Sequence, residues 1–382
     1  MKDLSELKVA IVCDWLTGYG GAERVVLELH RMFPGAPIYT SQYDSKKIDW
    51  FVEADVRTTW LQRLPKGLRK FLPVLRAWSF SRLNLKDYDL VISASGAEAK
   101  FVKVRKPAVH INYCHSPTHY YWIRYDEYMT NPGFGSFNWL AKIGLRLLVG
   151  PMRRWDLKAS QRPDFIIANS NFTKANIKKY YSRDSLVIFP PVDTERFNKG
   201  LGLAKHGFIT AGRQTPYMRK DLAIAACNQL KLPLAVIGNG PEHNKLVKMA
   251  GPTIKFLTDV ADKDMAGYFG QVEAFLFPGL EDFGIVAVEA MAAGTPVIAY
   301  KKGGALDTVV PGKTGEFFDN QTIESLVSEL EQFNSRGYHA ASVSHQADAY
   351  ALKVFEHKIG DFIIKTCLAS KSLNAHLYNS LS

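Results

Sequence analysis

The chain has 382 residues, 47% of them hydrophobic, and a formal charge of +11 at pH 7, which is enough apolar chain for two ordinary cores. Its four cysteines, Cys13, Cys114, Cys227 and Cys367, are far apart and form no ligand motif; this argues against structural zinc and fits a reducing compartment. No apolar run approaches a bilayer-spanning length and the first residues carry acids where a leader has an apolar stretch, while the excess charge calls for nucleic acid, an anionic membrane or phosphorylated substrates.

In chain order, Lys8 to Cys13 reads as a buried strand. A loop from Asp14 to Arg24 follows, with Gly18, Gly20 and Gly21, then a helix through Val25, Val26, Leu29 and Met32. Strand, glycine loop and helix together suit an anion. Glu23 stands where the dinucleotide fingerprint has its third glycine, so that fingerprint is absent and a plain tight turn is the alternative. Arg57 to Lys86 interleaves cations with large apolar residues such as Trp60, Leu75 and Trp78, without one acid. Asn138 to Arg162 repeats the theme with Trp139, Leu147, Arg146 and Arg153. Such interleaving suits helices lying in a membrane interface. A solvated basic face over a core helix pair is the alternative, and no nucleic-acid-binding module is recognisable.

Asp89–Ser93 and Ala108–Cys114 read as further strands. His115 stands just past the second, at the edge that also carries the glycine loop, where it can bond a sugar hydroxyl or move a proton. His110, inside the strand, reads as structural. Asp164–Ser170 and Val187–Phe189 are also strands, and Pro190–Phe197 reads as a linker stiffened by two prolines. Phe208–Gly212 opens a second domain, followed by Arg213, Arg219 and Lys220. Three cations after a strand end suit a diphosphate, each charge pair being worth on the order of 4 kcal/mol before desolvation; ordinary surface charge is the alternative. Leu234–Ile237 runs into a turn with Gly238 and Gly240.

Ala274–Phe277 reads as a buried strand ended by Pro278 and Gly279. A helix is expected from Gly284 to Ala293, with Gly294 at its C-terminal end and Val297–Tyr300 as the next strand. The amides of Phe283, Gly284 and Ile285 at that helix start attract a phosphate. Glu281 lies before the helix and Glu289 within it, which suits a ligand with a phosphate between two sugars; two solvated surface glutamates are the alternative. Glu289 sits among Val286, Val288, Ala290 and Met291, where an unpaired carboxylate is costly. A helical tail is expected from Ile323 to about Ser370.

Glu281 and Glu289, followed by Ala290-Met291-Ala292-Ala293-Gly294-Thr295-Pro296-Val297-Ile298, resemble the signature of the retaining glycosyltransferases of family 4, which have the GT-B fold. The resemblance covers roughly Lys8 to Phe355. It implies two Rossmann-like parallel-sheet domains facing a central cleft: 1–192 for the acceptor, 193–355 for the nucleotide-sugar, and a tail, 356–382, packing back. It implies catalytic roles for His115, Arg213 and Glu281. Donor contacts would come from Gly20, Gly21, Arg219 or Lys220, Gly238, Phe283, Gly284, Ile285 and Glu289, the last on the ribose. Asp14, Tyr19 and Tyr121 would line the acceptor side. His119 stands where the family's bacterial mannosyltransferases have arginine, which leaves acceptor or sugar preference open. The implied activity is metal-independent transfer of a hexose, mannose from GDP-mannose, to a lipid-linked or polysaccharide acceptor at the inner face of the cytoplasmic membrane. No cofactor is expected beyond the donor substrate. UDP- or ADP-hexoses, a nucleotide-sugar epimerase or a glycogen-synthase-like polymerase of the same fold, and a carbohydrate- or nucleic-acid-binding protein are the alternatives.

Overall fold

Five apolar residues in a row, Val9–Cys13, form β1, and all five are buried. A strand covered on both faces has no polar side to alternate with, which is the mark of a parallel sheet between helices. The computed structural model describes residues 7–65, 72–130 and 138–379, with side chains to Cys367. The chain divides into two units, Met1–Phe189 with Glu356–Ser382, and Pro190–Phe355.

The first unit holds β1, β2 (Ile38–Thr40), β3 (Val56–Thr58), β4 (Leu90–Ser95), β5 (Val109–Cys114), β6 (Phe165–Ala168) and β7 (Leu186–Val187). They are parallel, in the order β3-β2-β1-β4-β5-β6-β7. Its helices are α1 (Gly21–Met32), α2 (Pro73–Phe80), α3 (Tyr125–Thr130), α4 (Asn138–Ser160) and α5 (Asn171–Tyr181). Ala77 and Phe80 of α2 and Ala159 of α4 pack on Ala10, Val12 and Val91 of the sheet. Ser170 caps α5 by accepting from the Thr173 amide at 2.9 Å.

In the second unit α6 (Thr194–Phe197) precedes β8 (Phe208–Ala211), α7 (Lys220–Leu230), β9 (Leu234–Ile237), α8 (His243–Met249), β10 (Ile254–Leu257), α9 (Met265–Gly270) and β11 (Ala274–Phe277). Then come α10 (Ile285–Ala292), β12 (Val297–Tyr300), α11 (Ala305–Thr308), β13 (Gly315–Phe318), α12 (Ile323–Gln332) and α13 (Ala340–Ala347). The parallel order is β10-β9-β8-β11-β12-β13. Phe208, Val236, Leu276 and Ile298 of this sheet pack against Leu222 of α7 and Leu326 of α12. The expected single tail is instead α12, α13 and α14 (Leu352–Asn379), because Phe333–Tyr338 and Asp348–Ala351 break the helical run.

In both sheets the chain steps outward from the first strand in one direction and then returns to start again on its other side. The reversal falls between β1 and β4 in one unit and between β8 and β11 in the other. Loops leaving the carboxyl ends of such strand pairs diverge to opposite faces and leave a crevice, where ligands bind in open α/β sheets.

Candidate donor and acceptor sites at two strand edges

In the second unit the loops after β8 and β11 carry most of the expected donor residues. Arg213 follows β8 and is exposed; its carbonyl accepts from the Thr215 amide at 3.0 Å, while its guanidinium has no hydrogen bond or ion pair among the described residues. Arg219 differs from expectation: it adopts a left-handed backbone (φ 49°) and turns its guanidinium onto Asp221, Nε to Oδ1 at 3.1 Å. Lys220 differs further. Its ammonium is buried and donates to the carbonyls of Gly212 (2.7 Å) and Ile237 (2.9 Å). Of the three cations, Arg213 is the one displayed to solvent without a partner.

Gly238 has φ 101°, and a Cβ there would collide with the Gly212 carbonyl. Only glycine lets the loop after β9 close against the loop after β8.

The helix after β11 begins at Ile285, one residue later than expected, because Gly284 takes φ 90° as its N-cap. Ile285 and Val286 therefore supply the first-turn amides. Gly294 has φ 78° and its amide closes on the Met291 carbonyl at 2.8 Å, as expected for the residue after the helix end. Phe283 is buried, and its ring lies 5.6 Å from that of Tyr350. Glu281 is half-buried, and its carbonyl accepts from the Gly304 amide at 2.9 Å. Glu289 is buried, with Oε1 3.8 Å from Nη2 of Arg196 on α6. Arg196 was not singled out from sequence; its linker position concealed it.

In the first unit the strand-order reversal is stapled by Asp14. Its carboxylate accepts from the amides of Gly96 (2.8 Å), Ala97 (2.9 Å) and Ala99 (2.7 Å). Burial, then the nearby Glu98, push its pKa up, while the amides pull it down. Asp14 is thus spent on tying two loops and is not an open acceptor-side group. Gly20 is the N-cap of α1, and Gly21 starts an exposed first turn. Tyr19 is exposed and donates to Asp49 Oδ1 at 2.9 Å. His115 is half-buried; its amide donates to Ser95 at 2.9 Å and its ring stands edge-on to Tyr113 at 5.4 Å. Gly96 lies 3.7 Å from the His115 Cβ, measured from the position its own Cβ would take, so Asp14, Gly96 and His115 form one neighbourhood. His110 is buried on Ser93 Oγ (2.9 Å), and burial lowers its pKa to about 3.

Tyr121 corrects another expectation. It is 2% exposed, in the core, with its ring edge-on to that of Tyr120 at 4.5 Å. Arg76 also departs from the cationic surface expected of Arg57–Lys86, because its Nε bonds Glu98 Oε2 at 2.8 Å in the interior. Lys100 likewise pairs with Asp156 Oδ1 at 2.8 Å, and Trp122 (2.8 Å) and Tyr181 (2.7 Å) donate to the other oxygen. The signal available in sequence was Asp156 itself, the lone acid within Asn138–Arg162. Lys66, Arg69 and Lys70 lie outside the described residues. Among the described residues no group of three or more histidines, cysteines or acids is placed to hold a metal ion.

Two sequence models match the chain. One, described as Glycosyltransferase Family 4, covers residues 19–196, and the other, Glycosyl transferases group 1, covers 191–350. An alpha-1,3/1,6-mannosyltransferase of Candida glabrata is 26% identical, over 81% of this chain and 79% of that one. A GDP-mannose-dependent alpha-(1-6)-phosphatidylinositol monomannoside mannosyltransferase of Mycolicibacterium smegmatis is 24% identical over 50% of this chain, which spans 58% of that protein's length. Among solved structures, a sucrose-phosphate synthase from Thermosynechococcus elongatus superposes with a TM-score of 0.71 at 17% identity, covering 95% of this chain and 100% of that one. The Anabaena protein HepE, solved with UDP and glucose, gives 0.67 at 17%, covering 94% and 99%. These two show the fold, GT-B.

Proposed function

The chain belongs to the family 4 glycosyltransferases, and on that premise we propose that it transfers mannose from GDP-mannose, with retention at the anomeric carbon, to a lipid-linked or polysaccharide acceptor. The observation that carries this reading is the edge shared by the neighbouring strands β8 and β11. One loop displays the unpaired Arg213; the other passes Glu281 and enters α10 through left-handed Gly284. As the bond from the sugar C1 to the β-phosphate oxygen breaks, negative charge grows on the departing diphosphate. Arg213 and the first amides of α10 stabilise that charge. The acceptor oxygen bonds C1 on the same face, and its proton passes to the freed phosphate oxygen. Glu281 orients the sugar and Glu289 holds the ribose. The nucleotide-sugar is a substrate, and no resident cofactor is invoked. In the first unit the exposed start of α1, at Gly20 and Gly21, is the proposed phosphate-facing group and the half-buried His115 the proposed sugar-positioning group.

The mannosyl reading draws on what the two relatives are named for. A UDP-hexose donor is the second reading, prompted by the UDP and glucose in the Anabaena neighbour. A lipid-linked acceptor at the inner face of an anionic membrane is supported by α4. Trp139, Leu140, Ile143 and Leu147 are exposed along it beside Lys142 and Arg146, and its first half carries no acid. Among the described residues no helix is long and apolar enough to cross a membrane.

The deciding experiment is donor hydrolysis measured on GDP-mannose, UDP-glucose and ADP-glucose. Hydrolysis of GDP-mannose faster by roughly tenfold or more is expected, a margin that base-specific hydrogen bonds readily supply. Preference for a UDP- or ADP-sugar overturns the donor, and no turnover of any with acceptor lipids present overturns the activity.

A further inference from the structure

Lys220 opens α7, yet it is 2% exposed. Its ammonium has three donors, and two of them hold the ends of neighbouring strands, at Gly212 beyond β8 and Ile237 of β9. No other bond to it exists among the described residues. Gln214 fastens the same two loops on the other side of Arg213. Its Nε2 donates to the Gly238 carbonyl (2.6 Å), its Oε1 bonds His243 Nδ1 (2.8 Å), and its amide donates to Asn239 (2.9 Å). Arg213 is thus held between two buried fastenings while its own side chain stays in solvent.

We propose that Lys220 is a proton-linked positioning residue: it ties β8 to β9 beside Arg213 and takes up a proton from solvent when a nucleoside diphosphate binds at this edge. The inference rests on the donor-site reading above. The surrounding charges are few. Arg219 and Asp221, on the same helix end, are paired with each other. Glu281 acts from the loop after β11, His243 of α8 is engaged by Gln214, and Arg213 is the exposed cation of the β8 loop. Burial pushes the Lys220 ammonium down from 10.5 to about 7, with Glu281 opposing. In the ligand-free protein near neutral pH Lys220 is then only partly charged, and a diphosphate favours the charged form.

Calorimetry of GDP binding at pH 7.5, in two buffers of different ionisation enthalpy, reads the proton directly. Uptake of a fraction of a proton per GDP is expected for the wild type, none for Lys220→Met, and more than in the wild type for Glu281→Gln, which removes the opposing charge. Donor kcat/KM, which reports the free enzyme, falls above about pH 7 in the wild type and loses that limb in Lys220→Met. GDP binding without proton uptake, or equal uptake in Lys220→Met, overturns the inference while leaving the donor site standing. Failure of the wild type to bind GDP, UDP or ADP overturns the donor site as well.

Discussion

Arg76 and Glu98 form an ion pair, Nε to Oε2 at 2.8 Å, with side chains 5% and 0% exposed. Tyr120 also donates to Glu98, and the guanidinium lies 5.3 Å over the Trp15 ring. Burying two charges costs several kcal/mol per ion, so the pair is worth little over an apolar equivalent, but removing one partner strands the other. Arg76→Met is expected to lower unfolding free energy by about 3–5 kcal/mol in urea titrations. Arg76→Met with Glu98→Gln should recover more than half of that loss. A single variant as stable as the wild type would show that the interior tolerates a bare Glu98.

Arg196 approaches Glu289 at 3.8 Å from α6, and its other terminal nitrogen pairs with Asp262. If Glu289 binds donor, it does so beside this cation. Glu289→Ala should raise the donor KM on the order of tenfold with kcat little changed, the pattern of lost uniform binding. Arg196→Met should act in the same direction, and the double variant should fall short of the sum because the residues are neighbours. Arg213→Ala should instead lower kcat by about a hundredfold, the effect of removing a donor aimed at developing charge. Steady-state kinetics on all four proteins separates these roles; an Arg213→Ala enzyme with unchanged kcat removes Arg213 from the chemistry.

Gly284 holds φ 90°, and a Cβ there would strike the Phe277 ring. Gly284→Ala combines left-handed strain with that collision and should cost about 2–3 kcal/mol. Shrinking the ring with Phe277→Leu should relieve the collision but not the strain. A thermal melt that leaves Gly284→Ala at the wild-type midpoint would show that α10 can start one residue earlier, as its composition suggests.

The inner strands were legible because their chemistry is unambiguous. Val9–Cys13, Leu234–Ile237 and Ala274–Phe277 are short apolar runs bounded by glycine, proline or charged loops. The strands β2, β3 and β13 were not. Ile38–Thr40 and Val56–Thr58 are three residues each, and Val56–Thr58 is largely exposed, so neither length nor alternation marks them. Gly315–Phe318 is defined by its partner β12. Near the candidate site the turn at Gly238 and the helix end at Gly294 were readable because glycine carries local meaning. Lys220, Arg76 and Asp14 were misjudged for one shared reason. Each is consumed by carbonyls, amides or a carboxylate contributed by distant chain, and nothing in a residue's neighbours along the sequence announces such a partner.

Lys220 also predicts a pH dependence of stability opposite to that of donor binding. Its folded value, about 7, lies below the unfolded 10.5. Between those limits the unfolded chain holds a proton that the folded chain lacks, so this residue makes stability rise with pH across that window, by up to about 1.4 kcal/mol per pH unit. Below pH 7 both states are protonated and the slope vanishes. Urea titrations at pH 7, 8 and 9 should show the slope in the wild type and its loss in Lys220→Met. Parallel pH profiles for the two proteins would mean that the ammonium is solvated.

The first half of α4 is the surface proposed to meet lipid. Leu147 is 71% exposed and Trp139 63%, with Ile143 on the same helical stripe. An apolar stripe flanked by Lys142 and Arg146 gains both from burial in the acyl boundary and from anionic headgroups. Arg76 contributes nothing here, since its charge is internal, so the test belongs on α4. Ile143→Ser with Leu147→Ser should abolish co-sedimentation with vesicles of mixed neutral and anionic lipid. The thermal midpoint and the hydrolysis of soluble donor should stay unchanged. Lys142→Gln with Arg146→Gln should weaken binding to anionic vesicles and leave weak binding to neutral ones, because the apolar residues remain. If both double variants sediment like the wild type, α4 is not the docking surface, whatever its composition.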